Sequence, residues 1–323
     1  MASVDAGVAV GGDGATAAPS RGSVLGLDIG GTKLAAGVVD SDGHVAGFAV
    51  APTEAARGPE DGLRRLFALG RQAMEASGAE VAAVGIGCGG PLDSAAGILI
   101  GPLHLPGWTN VPVVEFASAE FRVPAVLDND ATAAAAGEHR FGAGRGTSNM
   151  LYLTVSTGVG GGVILDGRVF RGRTGNGGEL GHVTVDWHGR LCKGCGRRGC
   201  LEAYASGTSI AERAREAGLA VESASDVAAA ARSGDAIAER VWAETCEALA
   251  CGVASLANVF EPERVVIGGG VSREGEQLLG PVRERVRAEV IEPVARSLEV
   301  VAAELGDTVG VVGAAAVAFE RLM

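Results

Sequence analysis

An acidic triplet, Asp128-Asn129-Asp130, follows the short apolar run 125–127 and precedes the Ala-rich stretch 131–141, which has helical character. Asp and Asn are good helix caps, and one cap accounts for one residue of the three. A carboxylate left over at a strand-to-helix junction has the chemistry of a general base for a hydroxyl nucleophile. Two glycine loops offer complementary chemistry. Asp28-Ile29-Gly30-Gly31-Thr32-Lys33 and Ser156-Thr157-Gly158-Val159-Gly160-Gly161-Gly162 each join two apolar runs. Glycines let backbone amides approach a phosphate and turn toward it, and threonine hydroxyls add donors. Asp28, at a strand end, can hold a magnesium-bound water. Either loop alone could equally be a tight hairpin; the pair, in separate halves of the chain, reads as a two-sided phosphate clamp. The third group is Cys192, Cys195 and Cys200, three thiols in nine residues, with His182 ten positions ahead of Cys192. One imidazole and three thiolates make a closed tetrahedral zinc site of the structural kind. His188 competes for the fourth position, and Lys193, Arg197 and Arg198 can offset thiolate charge. Cys88, Cys246 and Cys251 read as core residues, and His44 and His139 as ordinary surface groups.

Strands must end at these groups to position them. Residues 24–28, 34–39 and 45–50 predict a three-stranded meander, with Asp42-Gly43 at its second turn. Leu63, Leu66, Phe67, Leu69 and Met74 have helical spacing within 59–77. A strand over 81–86, a helix over 111–121 and the short strand 125–127 lead into the triplet. The pattern then restarts, with strand 150–155, the second glycine loop and strand 163–165. Helices over 203–217, 225–232 and 235–258 follow the cysteines. Strand 264–267 runs into Gly268-Gly269-Gly270, and a strand near 298–304 precedes a last helix over 310–322. Strand, turn, strand, then helix in both halves predicts two α/β domains with a ligand cleft between them. The expected division is a tail at 1–22, a small domain at 23–129 to which helix 309–323 returns, and a large domain at 130–308 carrying the cysteines.

A chain of 323 residues, 47% hydrophobic and 20% charged, has material for two cores. Its net charge of −12 opposes nonspecific binding to nucleic acid or to an anionic membrane surface. No run of about 18 residues is free of polar interruption, so no membrane span is expected. Residues 1–22 are Ala, Gly and Ser rich and lack the pattern of a secretory signal, so they read as a disordered tail. Clustered thiols suit a metal site in a reducing cytoplasm better than a disulfide framework.

Two familiar nucleotide signals are excluded. Gly85-Ile86-Gly87-Cys88-Gly89-Gly90 matches GxGxxG, but Pro91 follows and no helix opens there. No GxxxxGK[ST] occurs. What the chain does resemble is the ROK family (repressors, open reading frames and kinases) of the actin-like, hexokinase-type ATPase superfamily. The resemblance runs from Val24 to Leu322. It rests on LGLDIGGTKLAAGVVD at 25–40, GIGCGGPLD at 85–93, LDNDATAAAAGE at 127–138, STGVGGGVI at 156–164, GELGH at 178–182, CGRRGCLE at 195–202 and VIGGGVS at 266–272.

The resemblance implies the actin-like/hexokinase-type α/β fold and a sugar kinase that uses ATP, Mg2+ and a structural Zn2+. Asp130 matches the family's catalytic base. Asn129, Glu179, His182 and Glu202 match residues that hold sugar hydroxyls, and Gly90 matches a glycine against the sugar. His182 would serve zinc and sugar together, with Cys192, Cys195 and Cys200 as the zinc cysteines. Gly30, Gly31, Thr32, Thr157 and Gly158 match the phosphate loops that also contain Asp28 and Lys33; Gly269 and Gly270 match the adenosine side. GELGH with CGRRGCLE leans toward glucose, phosphorylated at O6. Fructose, mannose, allose, N-acetylglucosamine and N-acetylmannosamine are alternatives, as is polyphosphate as donor. Family members are usually homodimers or homotetramers. A sugar-responsive repressor would carry a winged-helix reader ahead of the first loop. The 23 residues there are too few and too rich in Gly and Ala, so no nucleic-acid partner is expected. GELGH and the cysteines argue against an actin-like structural ATPase. Two positions depart from the family pattern: Cys192-Lys193-Gly194-Cys195 is CxxC rather than CxC, and Gly89 stands where proline commonly precedes Gly90.

Overall fold

The computed structural model describes residues 22–323; the expected tail, apart from Gly22, lies outside them. Strands β1 (Ser23–Ile29), β2 (Lys33–Val39) and β3 (Val45–Pro52) form the antiparallel meander. Helix α1 (Gly58–Ser77), β4 (Val81–Cys88), the small hairpin β5 (Leu92–Asp93) and β6 (Ile98–Leu99), α2 (Val113–Phe121), β7 (Ala125–Asn129) and α3 (Asp130–Phe141) follow. The first sheet has the order β3-β2-β1-β4-β7, with β1, β4 and β7 parallel.

The second half opens with β8 (Met150–Val155), β9 (Val159–Leu165) and β10 (Arg168–Val169). Next come α4 (Glu202–Ala205), α5 (Gly207–Glu216), α6 (Ala224–Arg232), α7 (Ala236–Phe260), β11 (Arg264–Gly268), α8 (Glu276–Glu289), α9 (Glu292–Ser297), β12 (Glu299–Ala302) and α10 (Val309–Leu322). The second sheet, β10-β9-β8-β11-β12, repeats the first: an antiparallel meander, then parallel pairs β8–β11 and β11–β12. The restart visible in the sequence is thus a repeat of topology.

Several boundaries differ from the sequence expectation. Helix α2 begins at Val113 because Pro112 disfavours helix at the residue before it; Val111 instead bridges Leu99. The stretch 203–217 is two helices. Ser206 is extended, with ψ 149°, and its side chain caps α5 at Ser209 N. Helices α8 and α9 were not expected. In α8 the apolar positions Leu278, Leu279, Val282 and Val286 keep helical spacing, but Pro281 and the surrounding charges hide it. Cys88 and Cys246 are buried as expected, whereas Cys251 is half-buried. Among the described residues no helix is long and apolar enough to cross a membrane.

Both faces of the first sheet are covered. Leu25, Leu27, Ile86 and Leu127 pack with Leu63, Leu66 and Phe67 of α1 on one face. Val24, Ala83 and Val126 pack with Val312, Ala316 and Phe319 of α10 on the other. Helix α10 lies so close that a Cβ on Gly26 would sit 2.0 Å from Val311 O, and one on Gly85 only 1.8 Å from Ala314 O. This close approach accounts for the first glycine of the excluded GxGxxG match. Gly85→Ala should therefore lower the denaturant midpoint by an amount equivalent to roughly 1–3 kcal/mol or more, the overpacking range, since backbone is what it would meet. An unchanged midpoint would show that α10 can retreat freely.

Candidate active site

Parallel strands bring their carboxyl ends to one edge. Gly87 of β4 is level with Asp28 of β1 on one side and with Asp128 of β7 on the other. In α/β sheets this edge is where ligand crevices form. A cleft of about 840 Å³ opens there, lined by both glycine loops. Asp28, Gly30, Gly31, Thr32 and Lys33 line it from the first loop, and Thr157 and Gly158 from the second. Gly90, Asn129, Asp130, Glu179, His182 and Glu202 complete the set that the sequence places together. Gly270 instead lines an adjacent cavity of about 390 Å³ with Ser156, Thr157 and Thr208. Gly269 lines neither cavity. Its φ is +88°, and a Cβ on it would lie 2.4 Å from Val155 O, so its place is a tight turn behind the loop.

The loops are held by buried polar contacts. Thr53, itself buried, donates its hydroxyl to Gly30 O at 2.6 Å. Gly207 N donates to Ser156 O at 2.7 Å and Thr208 Oγ1 to Thr157 O at 2.9 Å, tying the second loop to the first turn of α5. The break between α4 and α5 is what makes the Gly207 amide available.

The acidic triplet divides into three roles. Asn129 Oδ1 caps α3, accepting from Ala131 N at 3.0 Å and Thr132 N at 3.2 Å. Asp128 is fully buried and pairs with Arg171 Nε at 2.7 Å. Asp130, at the first position of α3, is the carboxylate of the triplet that lines the cleft, and it has no ion pair among the described residues. Its tip reaches water, but it is ringed by protein. That enclosure raises its pKa above the ordinary carboxylate value, against the Ala131 amide and the nearby His104, which lower it. Glu179 is likewise raised, by enclosure first, with His182 opposing.

His182 lies in a single 3-10 turn, Leu180–His182. Its ring and the thiols of Cys192, Cys195 and Cys200 offer ligand atoms that all lie within 4.8 Å of one another. Cys192 Sγ is 3.8 Å from His182 Nδ1, and Cys195 Sγ is 3.5 Å from Cys200 Sγ. Ligands about 2.3 Å from a tetrahedral zinc stand about 3.8 Å apart, so the donor set fits. His188 is not part of this group. The Cys195 thiol is opposed by burial but lowered to about 7 by the Arg197 backbone and side chain, which favours thiolate. Glu202 joins the cluster to the cleft: its Oε1 accepts from Cys192 Sγ at 3.3 Å and its Oε2 from Val159 N at 3.0 Å.

The ROK family profile matches residues 24–321. The chain belongs to the ROK family. It is 39% identical over 314 residues to a glucokinase of Thermotoga maritima, covering 93% of this chain and 98% of that protein. A ROK hexokinase from Thermus thermophilus superposes with a TM-score of 0.82 at 37% identity, covering 93% of this chain and 99% of the other. A ROK glucokinase from Streptomyces griseus, in complex with glucose and AMPPNP, superposes with a TM-score of 0.77 at 36% identity, covering 93% and 100%.

Sequence reasoning passed over two residues at this ROK site, one behind the cleft and one in its lining. Arg171 follows β10 in a glycine-rich stretch with nothing to mark it as the partner of a buried acid. His104 lines the cleft beside Gly89 and Gly90. Its only signal was a histidine between two leucines and two prolines.

Asp28 supplies a test. Enclosure first, and next the negative charge of Asp130, push its carboxyl up to about 7 from 3.8. Between those values the folded state holds a proton that the unfolded chain has released, so stability falls as pH rises through that window. Asp28→Asn should flatten this fall and raise Tm at pH 7.5 in protein free of magnesium and nucleotide. Parallel pH–Tm curves for the two proteins would remove Asp28 as the source.

Proposed function

We propose that this chain transfers the γ-phosphoryl group of ATP to O6 of glucose. The observation that carries the reading is Asp130: a carboxylate without a cationic partner, at a helix start, in a cleft lined by both glycine loops. The ROK glucokinases it is similar to support glucose as acceptor, and the one solved with glucose and AMPPNP supports ATP as donor.

In this reading the two domains, 23–129 with helix 309–323 and 130–308, close on the sugar and exclude water as a competing acceptor. Asn129, Glu179, His182, Glu202 and the Gly90 backbone orient the sugar. Asp130 accepts the O6 proton as O6 attacks the γ-phosphorus in line. The amides of Gly31, Thr157 and Gly158, with Gly30, Thr32 and Lys33 beside them, hold the phosphates, so positioning and charge stabilisation supply most of the rate. Asp28 would hold magnesium, which neutralises phosphate charge. The cavity at Gly270 is adjacent to the second loop and would take adenosine, with Gly269 setting the turn. His182, Cys192, Cys195 and Cys200 would hold zinc, fixing the ring orientation of His182 toward the sugar. The family resemblance further supports a homodimer or homotetramer in the cytoplasm, and the net charge of −12 supports a protein that does not bind nucleic acid.

Asp130→Asn should fold, bind glucose and lose at least about 100-fold in kcat, the lower end for a positioned general base. With wild type, the acid limb of kcat/KM should lie above the ordinary Asp value of about 3.9, because the base must be ionised and its pKa is raised. Near-normal turnover in the variant would remove Asp130 from the reaction. A panel of hexoses and N-acetylhexosamines ranked by kcat/KM tests the acceptor, and a non-glucose leader overturns it.

The zinc reading is tested separately. Cys195→Ser and Cys200→Ser should lose bound zinc by elemental analysis and raise glucose KM at least about 10-fold, the lower end for disturbed metal shells. ATP KM should change less. Stoichiometric zinc in Cys192→Ser would hand the fourth position to another group.

A further inference from the structure

The imidazole of His104 sits where the two substrate loops meet. A Cβ built on Gly31, in the phosphate loop, would lie 3.0 Å from His104 Cβ and 3.1 Å from its Cδ2. One built on Gly89, beside Gly90, would lie only 2.3 Å from His104 Cε1. The ring thus occupies the space that a side chain at position 89 would need. This is the position at which the chain departs from the ROK pattern, with glycine in place of proline. The departure and the histidine are two sides of one packing arrangement.

The segment carrying His104 is anchored. Leu105 and Trp108 are 1% and 0% exposed in the core beneath α1, and Leu103 N donates to Gly90 O at 3.4 Å. His104 itself is exposed to the cleft, and no protein hydrogen bond to its ring occurs among the described residues. The charged groups that line the cleft with it are Asp28, Lys33 and Asp130, and beyond them Glu179, His182 and Glu202. A held imidazole with an unused N–H, between the phosphate loop and the sugar loop, faces the place where negative charge is transferred.

We propose that His104 is a further catalytic residue, its ring N–H donating a hydrogen bond to a phosphoryl oxygen as the group passes from ATP to the sugar. The role rests on the kinase reading above. The bond from sugar oxygen to phosphorus forms as the bond from phosphorus to the ADP oxygen breaks. The hydroxyl proton goes to Asp130, and His104 keeps its own proton throughout. Donors aimed at developing charge act on kcat rather than on ground-state binding.

Four variants test this by steady-state kinetics with ATP and glucose: His104→Ala, His104→Gln, Gly89→Ala and the double variant Gly89→Ala/His104→Ala. His104→Ala should lower kcat by about 10-fold or more and leave glucose KM nearly unchanged, the signature of an interaction made in the transition state. His104→Gln keeps an N–H donor and should recover much of the loss. Gly89→Ala should reproduce the loss by displacing the ring. In the double variant the second change should cost nothing more, because the two residues compete for one space. A raised glucose KM at unchanged kcat would make His104 a sugar contact and overturn the proposal. So would wild-type behaviour in His104→Ala, failure of His104→Gln to recover, or additive losses in the double variant. Wild-type protein inactive on every sugar would sink the kinase reading and this role with it, whereas an active wild type confines any failure to His104.

Discussion

The ion pair between Asp128 and Arg171 is the tie on which the cleft depends. Asp128 lies next to the end of β7 in the first sheet and is wholly buried; Arg171 follows β10 in the second sheet. The same guanidinium bonds Glu320 on α10 at 2.8 Å, and Arg321 reaches back to Leu127 O at 3.1 Å. Both sheets and the last helix therefore meet at the residue two before Asp130. Burial pushes the Asp128 carboxyl up while Arg171 and the Asn129 amide pull it down. A buried charge stripped of its partner costs roughly 3–5 kcal/mol, so this contact holds the strand end, and with it the start of α3, in one place.

That start of α3 shows how far sequence reasoning reaches. The triplet was legible as one cap plus surplus, since capping chemistry is local. Which residue caps, which is buried and which faces the cleft depends on Arg171, more than forty positions away, and no local pattern gives that. The glycine loops were legible because both flanking strands were. The division of 203–217 was not, because it arises from the extended Ser206 and from Gly207 bonding Ser156 across the fold. Helix α8 was hidden by its own charges. Among the site residues, those within a family motif were found, while His104 stands in a segment where only packing against Gly31 and Gly89 reveals it.

The cysteine cluster and the cleft are one construction rather than two neighbours. Glu202 touches Cys192 through one oxygen and the second glycine loop through the other. His182 belongs to both the four-residue donor group and the cleft lining. The thiols, the Val159 amide and His182 are therefore joined by single direct contacts. The wider CxxC spacing leaves the four donor atoms within 4.8 Å of one another, so the extra residue is absorbed in the turn at Lys193–Cys195, which Gly196 N closes onto Cys192 O at 2.8 Å.

Helix α10 closes the first sheet against glycines more than two hundred residues earlier in the chain. During synthesis on the ribosome, β1 to β4 emerge long before the helix that covers them. Until residues 309–322 leave the exit tunnel, the Val24, Ala83 and Val126 face lacks the part of its cover that α10 supplies. The nascent strands β1 to β4 must therefore wait, partly exposed, while more than two hundred further residues are made.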